Sequence, residues 1–144
     1  MISLIRKSRL SYLLPMARIE CLQALERILQ VLGLAGAGIE IMLVDDAEMA
    51  SLNKEFLGLQ GPTNVLSFPF EGDGEGLPEQ DGPALGSIAL SLETLDREAL
   101  LYGQDPAGHF YRLASHAVLH LAGFPHGPEM DALTLEAVDA ATRS

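Results

Sequence analysis

The sequence predicts a single α+β domain over residues 1–144, in which a small mixed sheet of about four strands packs against helices. Two kinds of apolar pattern support this fold class: short alternating runs typical of strands, and longer runs with helical periodicity. The length of 144 residues is that of one domain. The apolar fraction of 48% and the charged fraction of 20% are typical of a globular protein with a buried core.

The first three elements follow from apolar periodicity and from the residues that bound it. Residues 2–5, Ile-Ser-Leu-Ile, predict a first strand. After Pro15, apolar residues recur at helical spacing and predict a helix that Gly33 and Gly36 end. The β-rich run at 39–44 predicts the second strand.

Two aspartates mark the start of the next helix. Asp45 and Asp46, followed by Glu48, are typical of helix capping and predict a helix that runs to about Leu57. We therefore interpret both aspartates as capping residues rather than catalytic ones. Residues 64–70, Asn-Val-Leu-Ser-Phe-Pro-Phe, predict the third strand, which a proline near its end closes.

The second half of the chain changes from strand to helix. Residues 71–83 are acidic and rich in glycine, so they predict a solvated loop. Residues 85–91 alternate well enough to predict the fourth strand. Helical periodicity then begins near Glu93, resumes after Pro106 and resumes again after Pro128, which predicts three helices.

The distribution of charge limits the classes of function. Acidic residues number 20 against 9 Lys and Arg, and the whole net charge of −11 falls on residues 55–144. This distribution argues against broad binding of nucleic-acid backbones, which needs clustered basic residues. Arg6, Lys7 and Arg9 are the N-terminal exception, either as a nucleic-acid contact or as a solvated strand edge.

Nothing in the sequence predicts export or a membrane span. No apolar run approaches the ~20 residues that a span needs, and the N-terminus lacks the pattern of a secretory signal. Cys21 is the single cysteine and forms no internal disulfide, which suits a reducing compartment. We therefore expect a cytoplasmic protein in which Cys21 is a buried helix residue.

Three of the four histidines lie within residues 116–126, His-Ala-Val-Leu-His-Leu-Ala-Gly-Phe-Pro-His. His116 and His120 are four residues apart, so on a helix they share one face and reach a single metal ion. Gly123 can end the helix with a positive φ, and the chain then returns to present His126. Three nitrogens with a vacant fourth position are typical of a catalytic zinc site.

The histidine spacing also occurs in metzincin peptidases, which gives one alternative. Those enzymes carry a glutamate directly after the first histidine, as the general base for zinc-bound water. Ala117 occupies that position and accepts no proton. A metzincin-like peptidase is therefore disfavoured.

Beyond the histidines, the chain resembles the YbeY family of rRNA maturation endoribonucleases, which are single-domain proteins with a three-histidine zinc site. The family pattern is approximately HGxLHLxGYDH, and residues 116–126 match its three histidines, its Leu-His-Leu core and its glycine. The resemblance continues through LNKEF at 52–56, PTNVLSFPF at 62–70, LGSIALS at 85–91 and EMDALTLEAVDA at 129–140.

The resemblance implies roles for particular residues. It assigns one zinc ion per chain to His116, His120 and His126. It also places Ser67 and Phe68 on the strand that flanks the cleft.

Four positions depart from the family pattern. Leu57 stands where the family carries an arginine linked to activity, and Leu59 stands at the basic position that follows. Ser87 and Pro125 stand where the family carries aspartates, which would have oriented the metal-binding histidines.

The leading hypothesis is a zinc-dependent endoribonuclease that cuts single-stranded RNA in rRNA maturation and ribosome quality control. Its expected partners are rRNA and ribosomal components, with no membrane contact. Lys54, one helical turn before Leu57, and Arg112, one turn before His116, are the candidate phosphate contacts. The alternatives are a solvated helix face for Lys54 and a salt bridge for Arg112. His109, outside the trio, is interpreted as structural.

The alternative hypothesis is a metal-binding, ribosome-associated factor with weak or no nuclease activity. The leucine at position 57 and the net charge of −11 both favour it.

Overall fold

The computed structural model describes residues 2–6, 13–58, 63–70 and 82–143, which form four strands and five helices. In chain order the elements are β1 (Ile2–Arg6), α1 (Arg18–Val31), β2 (Gly38–Val44), α2 (Asp46–Leu57), β3 (Val65–Pro69), β4 (Ala84–Ser91), α3 (Leu92–Leu101), α4 (Pro106–Leu121) and α5 (Pro128–Thr142). Each corresponds to an element predicted from the sequence, so the α+β fold class is confirmed.

The strands form one mixed sheet in the order β1-β2-β4-β3. β1, β2 and β4 are parallel, and β3 pairs antiparallel with β4 at the edge of the sheet. Pro69, which has no N–H to donate, ends β3 at this edge. The register places Ile88 of β4 between Ile41 of β2 and Ser67 of β3. Ser67 therefore lies on the edge strand in a fixed register.

The larger core lies on the sheet face that α1 and α4 cover, and α5 packs on these two helices. Ile39, Ile41 and Leu43 alternate along β2 toward this face. Met42 and Val44 point to the other face, where they pack with α2 in a smaller core. Nine of the sixteen residues of α4 are buried, so packing holds this helix around most of its circumference.

Cys21 lies in α1 and is fully buried, as the sequence predicts. Burial raises the pKa of the Cys21 thiol to about 12, although the charge of Arg18 acts in the opposite direction. The thiol is therefore protonated at neutral pH and unreactive as a nucleophile.

The two aspartates at the start of α2 have different roles. Asp45 is the helix cap, and its carboxylate accepts a hydrogen bond from the N–H of Glu48 at 2.8 Å. Asp46 instead accepts hydrogen bonds from the hydroxyls of Ser91 at 2.7 Å and Thr94 at 2.6 Å. The capping interpretation is confirmed for Asp45 but wrong for Asp46, because Asp46 is already the first helical residue and its side chain reaches α3.

Several predictions lie outside the described residues. They concern the acidic segment at 71–81, the basic residues Lys7 and Arg9, and Leu59. In the ranges that are described, no helix is long and apolar enough to cross a membrane. The domain boundaries at 1 and 144 stay a prediction.

Replacement of Asp46 by Asn tests the junction between α2 and α3. Arg97 forms an ion pair with Asp46 at 2.7 Å. Burial alone would raise the pKa of Asp46, but hydrogen bonds from Thr94, Arg97 and Ser91 hold that pKa below its ordinary value. A lowered carboxyl pKa stabilises the fold above the unfolded-state pKa of about 4, and this contribution is lost as the pH falls. We expect Asp46→Asn to lower the free energy of unfolding by about 1–2 kcal/mol at pH 7.

Urea denaturation between pH 7 and pH 3 measures this effect. The difference in the free energy of unfolding between the unmodified protein and Asp46→Asn should shrink as the pH falls. Asp96→Asn is the control, because Asp96 is an exposed aspartate on the same helix as Arg97. Its effect should stay within about 0.5 kcal/mol. An Asp46→Asn effect that is equal at both pH values would contradict the role assigned to the carboxylate.

Candidate metal centre

α4 carries two of the three clustered histidines on its accessible side. His116 is half-buried and His120 is exposed, whereas the three residues between them, Ala117, Val118 and Leu119, are buried. Packing of these three residues fixes the rotation of the helix about its axis. The imidazoles of His116 and His120 therefore project from one face, with ring centroids 5.0 Å apart.

The way in which α4 ends brings the third histidine back to the first two. Gly123 has a φ of +94°, a conformation that residues with a Cβ rarely adopt. Its N–H donates to the carbonyl of His120 at 3.0 Å, and the N–H of Phe124 donates to the carbonyl of Leu119 at 3.0 Å. This pair of hydrogen bonds forms a Schellman motif, which turns the chain away from the helix axis. The ring of His126 then lies 4.3 Å from that of His120, measured between centroids.

The three histidines form a cluster that fits a zinc ion. Each offers one ring nitrogen, and the three nitrogens lie within 4.8 Å of one another. Tetrahedral zinc with bonds of about 2.0–2.1 Å requires nitrogen separations of about 3.3 Å. The nitrogens therefore have to approach by at most ~1.5 Å, which small rotations of the exposed imidazoles of His120 and His126 supply. Three imidazoles with an open side are also the donor set of catalytic zinc sites.

Burial and mutual repulsion favour the neutral, metal-binding form of the rings. Burial lowers the pKa of His116, and the charges of His120 and His126 lower it further. Burial also lowers the pKa of His120, again with a contribution from His126. Because a metal ion binds neutral imidazole, these shifts keep His116 and His120 ready for binding at neutral pH.

Sequence reasoning misses one acidic residue near the cluster. Asp131, exposed in the first turn of α5, acts electrostatically on His116 and opposes the lowering of its pKa. Its negative charge favours a cation held by the histidines. The signal in the sequence is an acid one turn into the helix that follows the third histidine, and the packing of α5 on α4 brings that acid close.

The edge strand β3 contacts α4 through one of the two residues expected to flank the cleft. The hydroxyl of Ser67 donates to the carbonyl of Ala117 at 3.4 Å. Phe68 belongs to the smaller core, where its ring lies 5.2 Å from that of Phe56 in an edge-to-face contact. Since alternate residues of a strand face opposite sides, Ser67 adjoins the histidine helix and Phe68 does not.

The two candidate phosphate contacts lie on different helices. Arg112 lies one turn before His116 on α4, and its guanidinium donates to Nδ1 of His109 and Oε1 of Gln104. Lys54 is exposed on α2, which packs on the other face of the sheet. The fold thus places Arg112 on the histidine helix and Lys54 in the opposite helix layer. Both roles stay predictions.

Comparison with known proteins assigns the chain to a family. The family model described as Endoribonuclease YbeY matches residues 15–142, a range that includes the histidine cluster. The chain belongs to the YbeY endoribonuclease family. The resemblance inferred from the histidine motif and the flanking strands is therefore confirmed.

Curated YbeY proteins are similar to most of the chain. Endoribonuclease YbeY of Oleidesulfovibrio alaskensis is 44% identical over 143 residues, which cover 89% of this chain and 85% of that protein. Endoribonuclease YbeY of Nitratidesulfovibrio vulgaris is 45% identical over 121 residues, which cover 76% of this chain and 75% of that protein. The chain is thus similar to these YbeY proteins over most of their length.

A solved structure supports the fold. The solution structure of a Thermotoga maritima protein matches with a TM-score of 0.70 at 23% sequence identity, covering 98% of this chain and 89% of that one. At this identity the likeness concerns the fold alone.

Replacement of Gly123 by Ala tests the turn that returns His126. The left-handed conformation costs a residue with a Cβ about 1–2 kcal/mol, and we expect Gly123→Ala to lower both the stability and the zinc affinity. Gly103→Ala is the matched control, because Gly103 also has a left-handed φ, of +62°, and an added Cβ meets nothing within 4 Å at either position. Thermal unfolding should show both variants destabilised, and Gly123→Ala more so, because its φ lies further from the left-handed minimum. Zinc titration should show weakened binding only in Gly123→Ala.

Removal of one histidine tests the ligand set. We expect His120→Ala to weaken zinc binding by more than the ~10–100-fold typical of losing an outer-shell partner. In the unmodified protein, zinc at a hundredfold excess over Kd should raise the free energy of unfolding by about 2.7 kcal/mol. Because the pKa values of His116 and His120 are lowered, zinc affinity should fall only below about pH 6.5.

Isothermal titration at several pH values measures these effects. His109→Asn is the control, since His109 lies on the same helix but outside the cluster. A His120→Ala protein that binds zinc as tightly as His109→Asn would exclude His120 as a ligand.

Proposed function

We propose that the protein is a zinc-dependent endoribonuclease that cuts single-stranded RNA in the cytoplasm, acting with ribosomal components in rRNA maturation and ribosome quality control. The observation that carries this proposal is the cluster of three imidazoles at the end of α4. Within the described part of the chain, His120 and His126 are exposed, which suits a site that binds a polymeric substrate. The name endoribonuclease, carried by the curated relatives, supports RNA as the substrate.

The chain's own residues prepare the site for this chemistry. His116, His120 and His126 would hold the zinc ion, each through one ring nitrogen. When bound, zinc lowers the pKa of a coordinated water towards about 7 and offsets negative charge on a phosphate. The hydrogen bond from Ser67 to the carbonyl of Ala117 ties the backbone next to His116 to the sheet. This contact helps to hold the helix backbone at the first histidine.

The negative charge of the protein restricts where RNA makes contact. With a net charge of −11, the surface as a whole repels a polyanion. Arg112 is a cation on the same helix as His116 and one turn away from it. We therefore assign Arg112 to a phosphate near the cluster, and Lys54 on α2 to a more distant part of the RNA.

A second candidate function is that of a metal-binding, ribosome-associated factor with weak or no nuclease activity. The observation that favours it is Leu57, the last residue of α2, which occupies the place of the arginine in the family pattern. Ser87 and Pro125 likewise replace acidic residues of that pattern. The peptidase alternative gains no support, because Ala117 is buried and its side chain has no proton acceptor.

Metal content and RNA cleavage, measured on one preparation, separate these candidates. We expect about one zinc per chain, cleavage of single-stranded rRNA fragments, loss of cleavage with a chelator and recovery with added zinc. His126→Ala should abolish cleavage without unfolding the protein, since the side chain is exposed. Zinc without chelator-sensitive cleavage would favour the binding factor. Absence of zinc from both native and zinc-reconstituted protein would contradict both functions.

A further inference from the structure

Four polar side chains form a line along one face of α4. His109, Arg112, His116 and His120 are spaced by three, four and four residues, which places them on one side of the helix. Arg112 precedes His116 by one turn, or about 6 Å along the helix axis. This separation is comparable to that between neighbouring phosphates of one RNA strand.

His109 connects this face of α4 to α3. It is only 7% exposed, and its Nε2 lies 2.9 Å from Oε1 of Glu98. Glu98 also accepts hydrogen bonds from the side-chain amide of Asn64, at 3.2 and 3.4 Å. The Nδ1 of His109 contacts the guanidinium of Arg112, which also donates to Oε1 of Gln104. The five side chains form a continuous hydrogen-bonded network that runs from the residue before β3, through α3, to α4 and the loop before it.

The guanidinium fixes the direction of these hydrogen bonds. Arg112 has donors only and keeps its charge, so Nδ1 of His109 is the acceptor. Nε2 therefore carries the hydrogen and donates it to Glu98. The carboxylate of Glu98 thus selects this tautomer and orients the ring, and the ring in turn orients the guanidinium of Arg112.

The contacts of Arg112 leave its positive charge available. Its two acceptors are an uncharged amide and an uncharged ring, whereas Arg97 and Arg143 form ion pairs with carboxylates. Arg112 also lines a surface depression of about 380 Å³ between α4 and α5. Two carboxylates line the same depression, but Asp105 accepts the N–H of Gly108 at the start of α4 and Asp139 pairs with Arg143. Among the residues that the structure describes, no acid forms an ion pair with Arg112. A guanidinium that is held in place in this way is suited to bidentate binding of phosphate.

We propose that Glu98 and His109 are positioning residues for RNA binding, which hold the guanidinium of Arg112 against a backbone phosphate adjacent to the one at the histidine cluster. The proposal rests on the proposed function, because it takes single-stranded RNA as the ligand. It adds the residues that aim Arg112 and the position of the phosphate along the strand.

Equilibrium binding of a short 2′-O-methyl single-stranded RNA to the zinc-loaded protein, over a range of salt concentrations, tests the role of Arg112. We expect Arg112→Gln to weaken binding about tenfold and to reduce the slope of log Kd against log salt concentration by about 0.7, the value for one phosphate contact to a single strand. Arg143→Gln in an Asp139→Asn background is the control, because Arg143 is exposed and paired with Asp139, whose carboxylate would otherwise be left unpaired in the depression that Arg112 lines. Its affinity and slope should equal those of the unmodified protein.

Two substitutions of His109 separate positioning from a purely structural role. His109→Asn places an amide oxygen near the former Nδ1 and so keeps a hydrogen-bond acceptor for Arg112. His109→Gln places its amide near the former Nε2, where it reaches Glu98 but provides no acceptor for Arg112. We expect His109→Asn to keep the salt slope of the unmodified protein, and His109→Gln to show the reduced slope expected of Arg112→Gln. Because His109 acts through Arg112, the double variant His109→Gln/Arg112→Gln should bind no more weakly than Arg112→Gln alone. Glu98→Ala should resemble His109→Gln.

The outcomes distinguish this proposal from the nuclease activity. An Arg112→Gln slope equal to that of the Arg143→Gln/Asp139→Asn control overturns the proposal, even where chelator-sensitive cleavage is intact. Two results overturn the positioning role. One is binding by His109→Gln that equals that of the unmodified protein, and the other is the same salt slope in His109→Gln and His109→Asn. If the slopes change as predicted but the unmodified protein cleaves no RNA, the positioning of Arg112 is supported and the proposed nuclease activity is contradicted.

Discussion

The left-handed turn at Gly123 determines whether three histidines or only two meet at the end of α4. If the helix continued, His126 would lie ten residues beyond His116, or about 15 Å along the axis, and the two could not share an ion. The hydrogen bonds from the N–H groups of Gly123 and Phe124 end the helix instead. The ring centroids of His116 and His126 consequently lie 5.1 Å apart. A backbone conformation thus creates the donor set.

The turn has this effect because the rest of the fold holds α4 in place. Buried residues fix the helix against β3, β4 and α5, and the hydrogen bond from Ser67 to Ala117 ties it to the edge of the sheet. The contact between His109 and Glu98 joins it to α3. The sheet and core therefore act as the scaffold, while α4 carries Arg112 and two of the three clustered histidines on one side.

Local sequence predicts the elements and the histidine cluster because their causes are local. The cap at Asp45, the positive φ at Gly123 and the spacing of His116 and His120 each depend on a few neighbouring residues. The misassignment of Asp46 has a tertiary cause, since its partners Ser91 and Thr94 are distant in sequence. The partners that surround the site, among them Glu98 and Asp131, belong to α3 and α5, and only the packing of those helices on α4 reveals them.

X-ray absorption at the zinc edge tests the central claim, that the end of α4 assembles three imidazoles around one metal ion. The zinc-loaded protein should show three nitrogen ligands with the multiple scattering of imidazole at about 2.0–2.1 Å, completed by one light-atom ligand. His126→Ala should reduce the imidazole count to two. A spectrum of the unmodified protein with two imidazoles or fewer, or one unchanged by His126→Ala, would contradict the site described for this helix end.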